Sequence, residues 1–423
     1  MMDNSTFPRV LICNAAIVTA QGPERGPLRQ WAELGFLPRG EVIIARHGAG
    51  WLTEWLGPAG DSARPAYDAA IDLGGRLLLP GWIDCHTHAV FAGDRSHEFG
   101  ERLAGRSYSE IAAAGGGILH TVAATRAAPL EALVEASAPR LAELAAWGVQ
   151  VVEIKTGYGL DVATELKTLA AMARLQERFA GQLQLVATAM PAHAVAPEFA
   201  GRAEAYAAHV AAEILPALVQ AELRPRFCDI FVERGFFDLA AAEVVWQGAR
   251  RLGLRLKAHV DELSALGGLG WAVAHGAVSV EHLLCTDAFG VARLAASDTV
   301  AVCLPLTSLF LREPLAPLRA LVDAGARVAV ATDCNPGSAM TTNLPLAMQL
   351  AVLQGRLTPP EAVRSVTRNA ALALGEPGGV RGTIAEGAPW CATLLDLAHP
   401  DELFYALASP PRASGILRAA LAA

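Results

Sequence analysis

The sequence predicts an α/β protein, a (β/α)8 TIM-like barrel joined to a second, smaller β-sandwich domain built from the N- and C-terminal segments. Three observations predict it. An apolar strand, a loop and a long Ala/Leu/Glu/Arg helix recur up to about residue 375, the alternation that parallel strands require. Eight β-rich apolar runs fall in that stretch, the number that closes such a barrel. Before it, short alternating segments are separated by Gly- and Pro-bearing turns, the pattern of a small β module. The expected division is 1–79 and 376–423 for the β module and 80–375 for the barrel.

In chain order, Val10–Cys13, Ala16–Thr19, Glu41–Ala45 and Ala70–Leu73 are the strands expected in the first module. The character changes after Leu77 to Gly81. Barrel strands are expected at Trp82–His86, Val149–Lys155, Leu183–His193, Cys228–Glu233, Leu254–His259, Val278–His282, Thr299–Leu304 and Arg327–Asp333. Helical text lies between most of them, as at Ala163–Phe179, Ala203–Leu223 and Leu239–Leu252. Past Leu397, the segments Glu402–Tyr405 and Gly415–Arg418 are expected to pair with the N-terminal module. No repeat of fixed period and no low-complexity segment interrupts this order.

Composition excludes several classes. With 423 residues and 53% of them hydrophobic, the chain can bury a large core. A net charge of −8 and the lack of any Lys/Arg run argue against a nucleic-acid partner. No apolar run reaches the roughly 18 residues of a membrane span. Seven cysteines without a C-x-x-C pair fit buried thiols in a reducing compartment. Val10–Ala20 does not make a signal-peptide core, because Asp3 precedes it, Asn14 interrupts it and Arg9 is the only basic residue before it. These readings predict a cytoplasmic protein acting on a small molecule, with a homodimer as the assembly expected.

The placement of polar residues on the strands points to chemistry. In a barrel of this kind, catalytic groups gather at the C-terminal strand ends. Here the first strand runs into His86 and His88, the fifth into His259 and Glu262, the sixth into Glu281 and His282, and the eighth into Asp333 and Asn335. His86 and His88 are two apart, so on an extended segment both rings face the same side and can grip one cation. Three imidazoles and a carboxylate, with water completing the shell, make a hydrolytic metal site.

These residues resemble those of the amidohydrolase superfamily, metal-dependent barrels with H-x-H on strand one, His on strands five and six, and Asp on strand eight. The likeness extends to the imidazolonepropionase family over Pro80–Arg95, Ala114–Ile118, Glu153–Gly159, Pro191–His193, His259–Glu262 and Thr332–Ser338, and continues through Thr367–Gly375. Phe91–Arg95, Lys155–Tyr158 and Asp333–Gly337 are the stretches specific to that family.

The resemblance implies one Zn2+ or iron ion per chain, held by His86, His88, His259 and Asp333. It implies a substrate, 4-imidazolone-5-propanoate, whose carboxylate meets Arg95 and whose ring meets Tyr158 and His193. Tyr108 is a further candidate of that kind, and Asn335, Gly337 and Ser338 lie beside the reacting centre. Many superfamily members hold a second metal through a carboxylated lysine ending strand four. That position falls near Glu233 here, while Lys155 ends strand two, which favours a single metal. Lys155 itself reads as an ion-paired barrel lysine with a partner such as Glu153. Arg95, taken alone, could equally pair with Asp94 or Glu98.

The expected reaction is hydrolysis of the ring amide to N-formimidoyl-L-glutamate. Water activated at the metal gives its proton to Asp333 or His282, His282 and the metal stabilise the oxyanion, and Glu262 handles the proton of the ring nitrogen. A purine- or pyrimidine-type ring deaminase, or another cyclic amide hydrolase, shares the His and Glu motifs; release of ammonia from such rings separates the deaminase. A non-catalytic scaffold should show eroded ligands, and all are present. Two departures from the family pattern stand out: His120, where a small hydroxyl residue is expected, and Trp390-Cys391, in place of the Ala-Asp that opens the closing strand of the β module.

Overall fold

Eight strands line up in parallel around one axis in the computed structural model, which describes residues 8–48, 50–106, 110, 116–409, 411–414 and 421. Five earlier strands and one late one form the other sheet. These are β1 (Arg9–Val18), β2 (Phe36–His47), β3 (Gly50–Pro58), β4 (Ala69–Asp72) and β5 (Leu77–Pro80), with β14 (Ala392–Leu395) added to β5. An extra sheet from both ends of the chain is what the sequence predicts. Its strands are hydrogen-bonded into one six-stranded sheet, with β4 and β5 both paired parallel to β1. Val10–Cys13 and Ala16–Thr19, expected as two strands, are one strand broken by a bulge around Asn14, whose φ is +52°. Ile12, Ile17, Val42, Ile44, Leu78 and Leu394 form a core of its own under this sheet.

Two expectations for the module are corrected. Gly50–Pro58, read as turn text, is a full strand opposite β2. Glu402–Tyr405 is a short helix, docked by Gln349, whose side-chain amide donates to the Leu403 and Ala406 carbonyls. The Gly415–Arg418 segment lies outside the described residues, so its expected pairing is not part of the structure described.

The barrel strands are β6 (Trp82–Asp84), β7 (Val149–Lys155), β8 (Gln184–Ala192), β9 (Phe227–Val232), β10 (Arg255–Val260), β11 (Ser279–His282), β12 (Val300–Cys303) and β13 (Arg327–Val330). All eight overlap the runs expected from sequence. Neighbours pair in chain order from β6 to β13. The circle is completed past the strand ends, where the Asp333 amide donates to the His86 carbonyl and the His88 amide to the Cys334 carbonyl. Asp84 reinforces the closure by accepting from the Thr332 hydroxyl at 2.6 Å.

Helices begin where short polar residues stop the strand-to-helix loops. Asp161, Asp238 and Asp287 each accept from a backbone amide of the first turn, at 2.7–2.9 Å. Alternate strand residues face the barrel axis. The axis is therefore filled in storeys: apolar Ile83, Val151, Val186, Phe227 and Val300 at the N-terminal end, charged residues in the middle, and histidines at the C-terminal end.

Candidate active site

The C-terminal strand ends open into a cavity of about 590 Å³. His86 and His88 follow β6, His259 lies in β10, His282 ends β11, and Asp333 follows β13. All five side chains are buried. Asp333 Oδ1 is 3.3 Å from His86 Nε2 and 3.9 Å from His88 Nε2. The His259 ring centroid stands 4.7 Å from that of His86 and 5.0 Å from that of His282. Sharp backbone turns aim these groups. Asp261, His282, Leu283 and Asp333 all have φ between +53° and +77°, a conformation costly for residues with a Cβ and concentrated here at the site.

The donor set suits a divalent cation. His86, His88 and Asp333 place ligand atoms within 4.8 Å of one another, as do His86, His259 and His282. Burial, together with neighbouring imidazoles, holds His88 and His282 well below the usual histidine range, so both offer the neutral ring that binds metals. Asp333 is held down at about 2: burial opposes ionisation, but the contact with His86, the charge of His86 and the Thr307 hydroxyl outweigh it. His259 donates from Nδ1 toward Asp229 at 3.0 Å, and its buried Nε2 has no hydrogen-bond partner among the described residues. An imidazole oriented from behind with an unpartnered nitrogen in front is what a metal ligand requires.

Glu262 faces the same centre. Burial, with Asp333 and Glu233 nearby, pushes its carboxyl up to about 8, so it carries a proton at neutral pH. Its Oε1 is 3.6 Å from His282 Nδ1. Glu233, directly after β9, accepts from the Leu263 and Ser264 amides and the Ser264 hydroxyl. It braces the turn that follows Glu262.

Arg95 lines the same cavity. The two readings of this residue are both present in one arrangement. Its Nε and Nη2 donate to Glu98 Oε2 at 2.9 and 2.7 Å, in a buried pair, and the guanidinium also lines the cavity. Glu98 is held in turn by the Gly117 amide at 2.8 Å. Gly337 packs against Nη1, leaving no room for a Cβ. Asn335 accepts from the Gly337 and Ser338 amides at 2.8 Å and so shapes the turn after Asp333. Tyr158 and His193 line the cavity, with His193 stacked on His88 at 4.7 Å between centroids. Tyr108 lies outside the described residues. His120 sits beside His97, 5.0 Å between ring centroids, and does not line the cavity.

Several contributors are absent from the sequence reading. Thr307 donates to Asp333 Oδ2 at 2.6 Å. Glu165 gathers the amides of Gly157, Gly159 and Leu160 and thereby fixes the loop bearing Tyr158. Below the histidines, Lys155 pairs not only with Glu153, as expected, but with Asp229 and Glu281. The signal for this layer was a charged residue at the inward parity of an otherwise apolar strand.

A barrel whose strand ends gather histidines, an aspartate and a protonated glutamate has the build of a metal-dependent hydrolase, and the chain belongs to the amidohydrolase family, whose model matches residues 77–417. Within that family, imidazolonepropionases are among its curated relatives. The one from Chloroflexus aggregans is 45% identical over 418 residues, covering 95% of each chain. That from Ralstonia nicotianae is 46% identical over 363 residues, covering 84% of this chain and 87% of the other.

More distant solved structures share the fold. A mutant of atrazine chlorohydrolase TrzN from Arthrobacter aurescens, complexed with zinc and atraton, superposes with a TM-score of 0.66 at 18% identity, covering 96% of this chain and 93% of that one. The 5-methylcytosine deaminase of Klebsiella pneumoniae gives 0.67 at 16% identity, covering 94% and 93%. No helix among the described residues is long and apolar enough to cross a membrane.

Proposed function

We propose that the protein hydrolyses the ring amide of 4-imidazolone-5-propanoate to N-formimidoyl-L-glutamate, a step of histidine degradation. The observation that carries this reading is one cavity lined both by a cation-binding cluster and by a buried, braced arginine. That pairing suits a substrate with an amide at one end and a carboxylate at the other. The relatives named for this reaction support it along nearly the whole chain.

His86, His88, His259 and Asp333 would hold a single zinc or iron ion. When bound, the cation supplies Lewis-acid activation of water and of the amide carbonyl. Asp333, already ionised, accepts the proton of the attacking water. His282 hydrogen-bonds the oxyanion as it develops. Glu262 holds a proton below about pH 8 and delivers it to the ring nitrogen as the C–N bond breaks. Arg95, fixed by Glu98, takes the propionate in charge-assisted hydrogen bonds. Tyr158 and His193 contact the ring, with Tyr108 a further candidate contact of that kind, and the Asn335–Ser338 turn meets its polar edge.

The enzyme works in the cytoplasm without nucleic-acid or membrane partners, and a homodimer is its expected assembly. The domain division at 79/80 and 375/376 belongs to the same proposal. It is supported by β14 joining the N-terminal strands.

The direct test follows the ultraviolet absorbance of freshly generated imidazolone propionate, with purified protein before and after chelation. Decay only with metal-loaded protein is the expected result. Absence of decay in both conditions overturns the reading, as would near-normal kcat in both Glu262→Gln and His282→Asn.

A further inference from the structure

Five charged side chains without solvent exposure fill the middle of the barrel: the acids Glu153, Asp229 and Glu281, and the bases Lys155 and Lys257. Ions held out of water need partners, and the two lysines divide them unequally. Lys257 Nζ is 2.7 Å from Glu153 Oε2 and 3.4 Å from Glu281 Oε1. Lys155 Nζ is 2.7 Å from Asp229 Oδ2 and 2.9 Å from Glu281 Oε2. Those two acids are the ones that reach the imidazoles above. Asp229 Oδ1 lies 3.0 Å from His259 Nδ1, and Glu281 Oε2 lies 2.7 Å from His86 Nδ1.

One ammonium therefore ties together carboxylates from β9 and β11, and each of them stands on the Nδ1 side of a ring in the cation cluster. An imidazole that donates its Nδ1 proton to a carboxylate presents the Nε2 lone pair. His259 Nδ1 makes such a hydrogen bond to Asp229, His86 Nδ1 stands at ion-pair distance from Glu281, and the Nε2 atoms of both rings have no hydrogen-bond partner among the described residues. Asp229, His259 and Glu281 by themselves stand close enough to hold a cation. The Lys155 ammonium already occupies their midst.

We propose that Lys155 is a positioning residue of the cation site: a resident ammonium that, through Asp229 and Glu281, fixes His86 and His259 with Nδ1 protonated and Nε2 turned to the metal. The inference rests on the cation reading given under the proposed function and adds a task for a lysine that reading does not use. It also gives a physical reason for a single metal, since the chain fills the second cation position with its own side chain.

The test uses full-length chain stripped by chelation and titrated with Zn2+ and Co2+, alongside 15N NMR of the histidine rings. Lys155→Met should weaken the metal Kd about 10–100-fold, the range for losing a partner behind a metal ligand, and should disturb the Nδ1-protonated tautomers of His86 and His259. Lys257→Met removes an equally buried charge without touching Asp229. It should change the Kd less than threefold and leave the His259 tautomer in place.

A Lys155→Met protein within threefold of wild type, or a Lys257→Met protein as impaired as Lys155→Met, overturns the proposal. If Lys155→Met does not fold, Asp229→Asn decides: a Kd weakened at least tenfold supports it, and an unchanged Kd overturns it. Wild-type protein that binds neither ion would overturn this proposal and the cation reading together. Wild-type binding with an indifferent Lys155→Met overturns this proposal alone.

Discussion

The two walls of the cavity are built by different means. On one, His86, His88, His259, His282 and Asp333 stand at strand ends, braced from below by buried ions and fixed by strained backbone. On the other, Arg95 opens the short helix Ser96–Leu103 and is held by a side-chain pair with Glu98 and by the absence of a Cβ at Gly337. The first wall is rigid because the sheet is; the second is rigid only as far as its hydrogen bonds reach. On the proposed reading, chemistry falls to the first and substrate selection to the second, where a loop can change without disturbing the barrel.

Four expected outcomes would sharpen or break that contrast. The largest is on the strand-end wall. Glu262→Gln should lower kcat by about 10²–10⁴, the usual share of a positioned acid or base, while metal content by elemental analysis stays at the wild-type level. Loss of metal in this variant would instead make Glu262 part of the cation cluster.

On the other wall the effect should fall on KM. Gly337→Ala drives a methyl into the Arg95 guanidinium and should raise KM by roughly tenfold or more, with kcat changed much less, since it moves a group that positions substrate. Steady-state kinetics with the imidazolone substrate separate the two parameters. A fall in kcat alone would show that the walls are coupled.

The third outcome concerns pH. In cation-free protein the Glu262 carboxyl is raised from its ordinary 4.5 to about 8, so the folded chain holds a proton that the unfolded chain has released. Its contribution to stability is present below about 4.5 and is lost as pH rises through about 8. Thermal unfolding of apo wild type should therefore decline more steeply between those limits than that of apo Glu262→Gln. Parallel curves would remove Glu262 from this account.

The smallest effect is expected on the outer helical surface of the barrel. Arg178 pairs with Glu135 at 2.7 Å, both largely exposed. Arg178→Ala should cost no more than about 1 kcal/mol, a shift in Tm of a few degrees at most, and should leave both kinetic parameters alone.

Much of the strand-end wall was legible in the sequence, because histidine and aspartate at the end of an apolar run are conspicuous and the barrel rule says where such ends meet. The brace beneath it was harder. Asp229 and Lys257 sit inside runs that read simply as strand, and only their inward parity, shared by Glu153 with Lys155 and by Lys257 with His259, marks them as one layer. Glu98 was legible as a partner of Arg95, but not as a partner that leaves Arg95 in the cavity.

In the terminal module, Gly50–Pro58 was missed because Gly and Pro at its ends resemble turn text. Glu402–Tyr405 is too short for any period to separate helix from strand. Thr307, distant in sequence from Asp333, carries no signal of its contact at all.

The barrel is completed not by a ladder between β13 and β6 but by the hydrogen bonds joining His86 and His88 to Asp333 and Cys334. The seam of the cylinder and the reactive centre are thus the same few residues. Opening the cylinder at that seam would separate the histidines of the first strand from the aspartate of the last, so turnover should fail at the first parting of the wall rather than after general unfolding. Activity then serves as a sentinel for the closed state: on heating, its loss should coincide with hydrogen exchange at the His88 and Asp333 amides and run ahead of melting of the outer helices.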